Sequence, residues 1–196
     1  MANLNAPAGF RVVGLNGVGA YTGAWMRVAF AAGDSVAAFK GSMVKWTGAT
    51  DTDGYTPVVA VAAAGDAKLA GAVQSFAPQV NGNWTTYYKP ASTRMYAYIP
   101  ADKFATYQCQ EDSVGGNMAL TTSIGKNVNY TTESGDTVSG NSTMQLDSST
   151  VADTNTLNIR IISPVNRADN STSSSDSNAV WNVMLNLDSY TNTTGV

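Results

Sequence analysis

Apolar residues in this chain recur at every second position, in short runs broken by glycine and by small polar residues. Leu157, Ile159 and Ile161 alternate with Asn158 and Arg160, and Trp181, Val183, Leu185 and Leu187 alternate with Asn182, Met184 and Asn186. A period of two marks a strand with one face on a core and the other toward water. Met95-Tyr96-Ala97-Tyr98-Ile99, stopped by Pro100, and Tyr107-Gln108-Cys109-Gln110 read as further strands. Two Ala-Ala-Gly-Asp elements, at 31–34 and 63–66, carry Gly-Asp turn chemistry, so each predicts a turn followed by a strand, over 35–39 and 67–73. A helical start at 60–64 is stopped at once by Gly65. No apolar stripe at helical spacing exceeds two turns. The pattern predicts an all-β fold, a small barrel or sandwich of short antiparallel strands.

The first 30 residues read differently. They contain no acid, only Arg11 and Arg27 as bases, and glycine at 9, 14, 17, 19 and 23. Repeated glycine makes a continuous helix costly, so an extended N-terminal arm is expected over 1–30. Phe10, Val12, Val13, Leu15, Tyr21, Trp25 and Met26 give it apolar surface to bury, on its own core or on a neighbour. A β domain follows over 31–196, divisible into sub-modules of about 31–100 and 101–196. Within it, the Ser/Asn/Asp-rich stretch 167–178 has little to bury and is expected to be a mobile surface loop.

Composition narrows the chemistry. The 196 residues hold no histidine, one cysteine and 13% charged residues, against about 25% in average domains. The surface must therefore be built largely from Ser, Thr, Asn, Gln and Gly. Without histidine there is no Ser-His-Asp or Cys-His site, and zinc lacks its usual ligands. No phosphate-binding glycine loop occurs. Asp51-Thr52-Asp53-Gly54 opens like a calcium loop, but position 62, where the bidentate acid belongs, is Ala; a solvated turn is expected. Glu111, Asp112, Glu133 and Asp136 are the carboxylates available for glycoside cleavage. Adjacent strand residues face opposite ways, so Glu111 and Asp112 would not meet one substrate. No cofactor, metal or catalytic residue is assigned.

Net charge is −3, which argues against a nucleic-acid partner held through its phosphates. The charge is uneven: residues 1–110 carry eight Lys/Arg and five Asp/Glu, residues 111–196 three and nine. Such a split suits head-to-tail packing of copies. Residues 1–7 lack the basic start and apolar stretch of a signal peptide, and no apolar run reaches membrane-spanning length, so no membrane partner is expected. Cys109 has no partner for a disulfide within the chain and reads as a small core residue. These features fit synthesis in a reducing host cytoplasm. Five Asn-x-Ser/Thr triplets, at Asn83, Asn129, Asn141, Asn170 and Asn192, follow from the abundance of Asn and Thr rather than from glycosylation.

The second half carries an ordered set of short strings. Gln110-Glu111-Asp112-Ser113 is followed by Gly125-Lys126-Asn127 and by Met144-Gln145-Leu146-Asp147-Ser148-Ser149-Thr150. Leu157-Asn158-Ile159-Arg160-Ile161-Ile162, Asn166-Arg167-Ala168-Asp169-Asn170 and Asn186-Leu187-Asp188-Ser189-Tyr190 come next, and Asn192-Thr193-Thr194-Gly195-Val196 closes the chain. Tyr21-Thr22-Gly23, Gly33-Asp34, Gly71 and Phe76-Ala77-Pro78 extend the likeness into the first half. In this order the chain resembles a family of small virion proteins of tailed bacteriophages, regarded as head decoration or cement proteins. It departs from the family at Asp188, where relatives tend to carry histidine, and at Ala101-Asp102-Lys103-Phe104, which is more acidic in relatives.

The resemblance implies a capsid decoration protein that binds the outer surface of the phage head and bridges major capsid protein subunits. It implies a virion location, a partner in the major capsid protein, and self-association, as a homotrimer in preference to a dimer. Clamping a shell needs no catalytic step, and a polar uncharged surface loses little on desolvation. The candidate interface residues are Phe10, Arg11, Tyr21, Trp25 and Arg27 in the arm, and Trp84, the tryptophan expected to be most exposed. A carbohydrate- or receptor-binding module of a phage fibre or spike, with aromatic side chains as the sugar platform, is the alternative.

Overall fold

A computed structural model describes residues 3–15, 18–78, 87–132, 134–173 and 175–189. The strands are β1 (Arg11–Leu15), β2 (Val18–Ala20), β3 (Trp25–Phe30), β4 (Met43–Thr50), β5 (Pro57–Val61), β6 (Leu69–Ala72), β7 (Ser75–Phe76), β8 (Met95–Pro100) and β9 (Ala105–Gln110). After one short helix, α1 (Leu120–Ser123), come β10 (Asn127–Tyr130), β11 (Leu146–Ala152), β12 (Ile159–Pro164) and β13 (Val180–Leu185). The fold is all-β.

The strands form two sheets, in the orders β11-β10-β12-β13-β9-β1-β2 and β6-β4-β5-β3-β8-β7. In the second, only Val73 and Gln74 separate β6 from β7, so one stretch of chain supplies both edges. Val73 N–H donates to Ser42 (2.9 Å), and Gln74 N–H to Tyr98 (3.0 Å), carrying the ladder across the gap. The sheet thereby closes into a small barrel, which removes its free edges. Val28, Phe30, Val44, Val59, Ala70, Val73, Ala97 and Ile99 fill it. One pair, β3 with β5, is parallel, against the purely antiparallel expectation: β4 lies beyond β5, so the chain leaving β3 crosses over before β5 fills the gap.

The larger core lies between barrel and open sheet. Phe10, Met43, Leu69 and Ala72 meet Tyr107, Cys109, Tyr130, Ile161, Trp181 and Val183 there. The alternation read from the sequence is the cause: Ile159 and Ile161 are buried around exposed Arg160, and Trp181, Val183 and Leu185 are buried around half-buried Asn182 and Met184. Tyr130 Oη spans the two layers to donate to the Ala63 carbonyl (2.9 Å).

The described part of the expected arm is rich in strand, and the surface on which β1, β2 and β3 lie is the protein's own. β1 pairs with β9, while β3 pairs with β8 in register from Trp25↔Pro100 to Phe30↔Met95. Both Ala-Ala-Gly-Asp elements form the same turn, closed by Asp N–H on the Ala carbonyl at 3.1 Å. Only the second leads into a strand, β6. The expected strand over 35–39 does not form; that segment makes a single bridge, Ala38↔Lys89. Buried Lys89 holds it from below, with Nζ donating to the carbonyls of Asp34 (2.8 Å) and Val36 (2.7 Å) and lying 3.2 Å from the Asp34 carboxylate. Burial lowers the Lys89 pKa, and the Asp34 charge opposes that shift.

The stretch 167–178, expected to be mobile, is fastened. The Asn170 side chain donates to Val165 and Val180 carbonyls and accepts from Val180 N–H. Asn3 donates to the carbonyls of Ser171 and Ser177 and accepts from Ser171 N–H. A polar segment that cannot bury apolar surface is ordered here by side-chain amides instead. No helix among the described residues is long and apolar enough to cross a membrane.

Candidate functional site

β1 of the open sheet meets the barrel at a junction set by two glycines. Gly9 (φ +66°) and Gly41 (φ +93°) both occupy the left-handed region. Their backbones touch: a Cβ on Gly41 would lie 2.6 Å from the Ala8 carbonyl oxygen and 2.9 Å from Gly9 Cα. Only glycine tolerates both the conformation and the approach. Phe10 N–H donates to Gly41 (2.9 Å), and Gln74 locks the joint, accepting from Val12 N–H (3.1 Å) and donating to the Phe10 carbonyl (2.9 Å). Lys40 is fixed on the other side, its N–H on Gly140 (2.9 Å) and its carbonyl taking Ser142 N–H (2.8 Å).

These contacts leave a groove of about 250 Å³, bordered by Arg11, Lys40, Gln74 and Asn141. Arg11 is exposed and Lys40 half-buried. Arg27, Lys45, Lys89, Arg94, Lys126 and Arg167 each pair with an aspartate. Among the described residues neither Arg11 nor Lys40 has such a partner. The groove therefore presents two uncompensated positive charges in a rigid frame, which is chemistry for holding an anionic group.

The other interface candidates have varied fates. Phe10 is fully buried, edge-on to Tyr107 and Tyr130 at ring separations of 6.4 and 5.7 Å; it is a core residue and cannot touch a partner, because the glycine joint turns it inward. Trp25 is 49% exposed, with Tyr21 edge-on at 5.1 Å. Tyr21 Oη donates to the Ala24 carbonyl (2.7 Å), and burial raises its pKa. Arg27 is exposed but occupied: it donates to Asp53 (3.2 Å) and Thr56 (2.9 Å) and lies 4.7 Å over the Tyr96 ring. Trp84 lies outside the described residues.

The Asp51–Gly54 turn is part of the same barrel surface. Gly54 N–H closes on the Asp51 carbonyl (2.9 Å). The Asp51 carboxylate is taken by Arg94 and by Tyr96 Oη (2.7 Å). Bonds from Thr56 and Tyr55 hold the Asp53 carboxyl down at about 2. Both carboxylates are committed to internal donors, as a turn requires, and no metal-binding group of acids occurs among the described residues.

Glu111 and Asp112 follow directly on β9 and have separate surroundings. Asp112 accepts from Ser148 N–H (3.1 Å) and Oγ (3.0 Å) at the surface. Glu111 is fully buried; it accepts Met118 N–H (2.7 Å) and Ala179 N–H (3.2 Å). Burial outweighs those bonds and pushes its carboxyl up to about 7. Asp136 caps Val138 and Ser139 N–H groups in a hairpin, and Glu133 lies outside the described residues. Cys109 is buried, and burial drives its thiol far above the usual range, so it is no nucleophile.

Lys40 and Asn141 are the groove residues that sequence reasoning missed. They lie 101 positions apart and carry no motif; only the parallel bridge between them brings them together. A comparison with protein-family models, with curated proteins and with solved structures found no match.

Proposed function

We propose that the protein is a decoration protein of a tailed-bacteriophage head, attached to the outer surface of the shell and bridging major capsid protein subunits. The observation that carries this reading is what the family-like strings do in the fold: they are its polar framework. Gln110 donates to the carbonyls of Leu4 (2.7 Å) and Asn178 (2.9 Å) and accepts from Ala6 N–H (3.1 Å). Asn158 clamps the 65–66 turn, accepting from Gly65 N–H (2.5 Å) and donating to Asp66 (2.6 Å). Asp112 and Asn170 do the same for their own loops. Residues spent on fixing loops make a rigid surface, and rigidity is what a clamp needs, because each added contact must break before a joint opens.

Attachment falls to exposed side chains, since β1, β2 and β3 belong to the two sheets. The unequal charge of the two halves supports assembly of copies around an axis, as a homotrimer in preference to a dimer. The test is reconstitution: purified protein added to heads lacking decoration should saturate at a fixed number of copies and raise the temperature at which heads release DNA. Protein that leaves heads unoccupied at micromolar concentration refutes the reading. Half-exposed Trp25, with Tyr21 against it, favours one second reading, a sugar platform on a fibre or spike. Binding on a glycan array, lost in Trp25→Ala, would establish it in place of the first.

A further inference from the structure

We infer that the groove between Arg11 and Lys40 is a socket for a carboxylate side chain of the major capsid protein. The inference deepens the decoration reading and rests on it for the identity of the partner. Its basis is a charge left over in a built place. Of eleven Lys and Arg residues, six are paired with aspartate. Among the other five, Arg160 is bonded to Asn127 and Asn186, and Lys103 lies over the Phe104 ring. Arg11 stands in β1 of the open sheet and Lys40 in the segment leading into β4, and both border the same concavity. In the adjoining hairpin the carboxylate of Asp136 is used to cap Val138 and Ser139 N–H groups.

The frame is fixed before any ligand arrives. The Gly9–Gly41 contact stops the two walls from moving closer, the Phe10 N–H bond to Gly41 resists their parting, and Gln74 uses both ends of its amide on the backbone beside them. A backbone frame that is already ordered adds no ordering cost of its own on binding. Arg11 offers a planar fork that matches a carboxylate, Lys40 a point charge, and Asn141 an amide at the rim. With a volume of about 250 Å³ the groove suits one side-chain head group rather than a folded ligand. A protein lattice supplies such groups as Asp or Glu, and like charges on a wrong partner would be rejected.

The test compares attachment of wild type, Arg11→Glu, Lys40→Glu, Lys40→Met and a control, Lys68→Glu, to undecorated heads, with thermal melting of each to confirm folding. Lys40→Met keeps the buried methylenes while removing the charge. The expected result is at least tenfold weaker attachment for the three groove variants, attachment of wild type that weakens with added sodium chloride, and a change of less than twofold for Lys68→Glu. Groove variants that fold and attach like wild type overturn the inference while leaving the decoration reading intact. If wild type itself fails to attach, the decoration reading falls, and the socket is judged by titrating the protein with a short polyglutamate peptide and separately with inorganic phosphate. Shifts of the Arg11 and Gly41 amide resonances with the peptide, absent in Lys40→Glu, support it; a response to phosphate alone, or to neither, overturns it.

Discussion

Raising the pH from 5 to 7 is expected to destabilise this protein, through Glu111. Its carboxyl is fully buried at the end of β9, facing Met118 N–H and Ala179 N–H, and its folded-state pKa stands near 7 against 4.5 unperturbed. Below pH 4.5 both states carry the proton. Between 4.5 and 7 the unfolded chain loses it while the native protein keeps it, so stability falls as pH rises; above 7 both are ionised and the loss is complete. Each unit is about 1.36 kcal/mol, so the full change is about 3 kcal/mol, a large part of a typical stability of about 5–15 kcal/mol. The window is clean because the chain has no histidine, and the lowered aspartates Asp51, Asp53 and Asp136 act in the opposite sense at lower pH. Urea unfolding followed by the fluorescence of buried Trp181, repeated across pH 4 to 8, reads the effect directly. Glu111→Gln keeps the shape but sets its NH₂ against one of the two N–H donors, costing about 1–3 kcal/mol at low pH; its stability should no longer depend on pH between 5 and 7. Wild-type stability that is flat or rising over that window, or a slope that survives in Glu111→Gln, would refute the reasoning.

Three further outcomes follow from the packing. Cys109 should be silent to thiol reagents in the native state and react only as fast as the protein unfolds; rapid labelling of folded protein contradicts its burial. Gly41→Ala should cost on the order of 2 kcal/mol or more, because its Cβ meets backbone, whereas Gly54→Ala, also at positive φ but with open space around it, should cost about half as much; equal melting temperatures for the two would rule out the tight joint. Removing residues 1–25 should abolish cooperative folding, since it deletes Phe10 from the core and β1 from the open sheet, with Phe10→Ala alone costing about 3–5 kcal/mol. A truncated protein that still melts cooperatively would show that the two sheets need no N-terminal link.

The fold class was legible because the strands β8, β12 and β13 alternate, and a two-residue period has one physical meaning once one face must be buried. Turn chemistry was equally local: Gly-Asp closes the same backbone turn at 31–34 and 63–66, although Lys89 and Asn158 from elsewhere in the chain brace the two turns. Glu111 and Asp112 do have separate surroundings, but they lie past the end of β9, so strand alternation is not the cause. What local pattern could not show was where each strand goes. The same apolar content in residues 1–30 fits a free arm or strands of the protein's own sheets, and only the partners β9 and β8 decide it. Composition made 167–178 appear mobile, but Asn3, from the other end of the chain, pins it. The candidate site was half visible, through Arg11. Its other charge, Lys40, becomes meaningful only after two glycines from different segments bring their backbones into contact, a proximity that depends on closure of the barrel and not on sequence spacing.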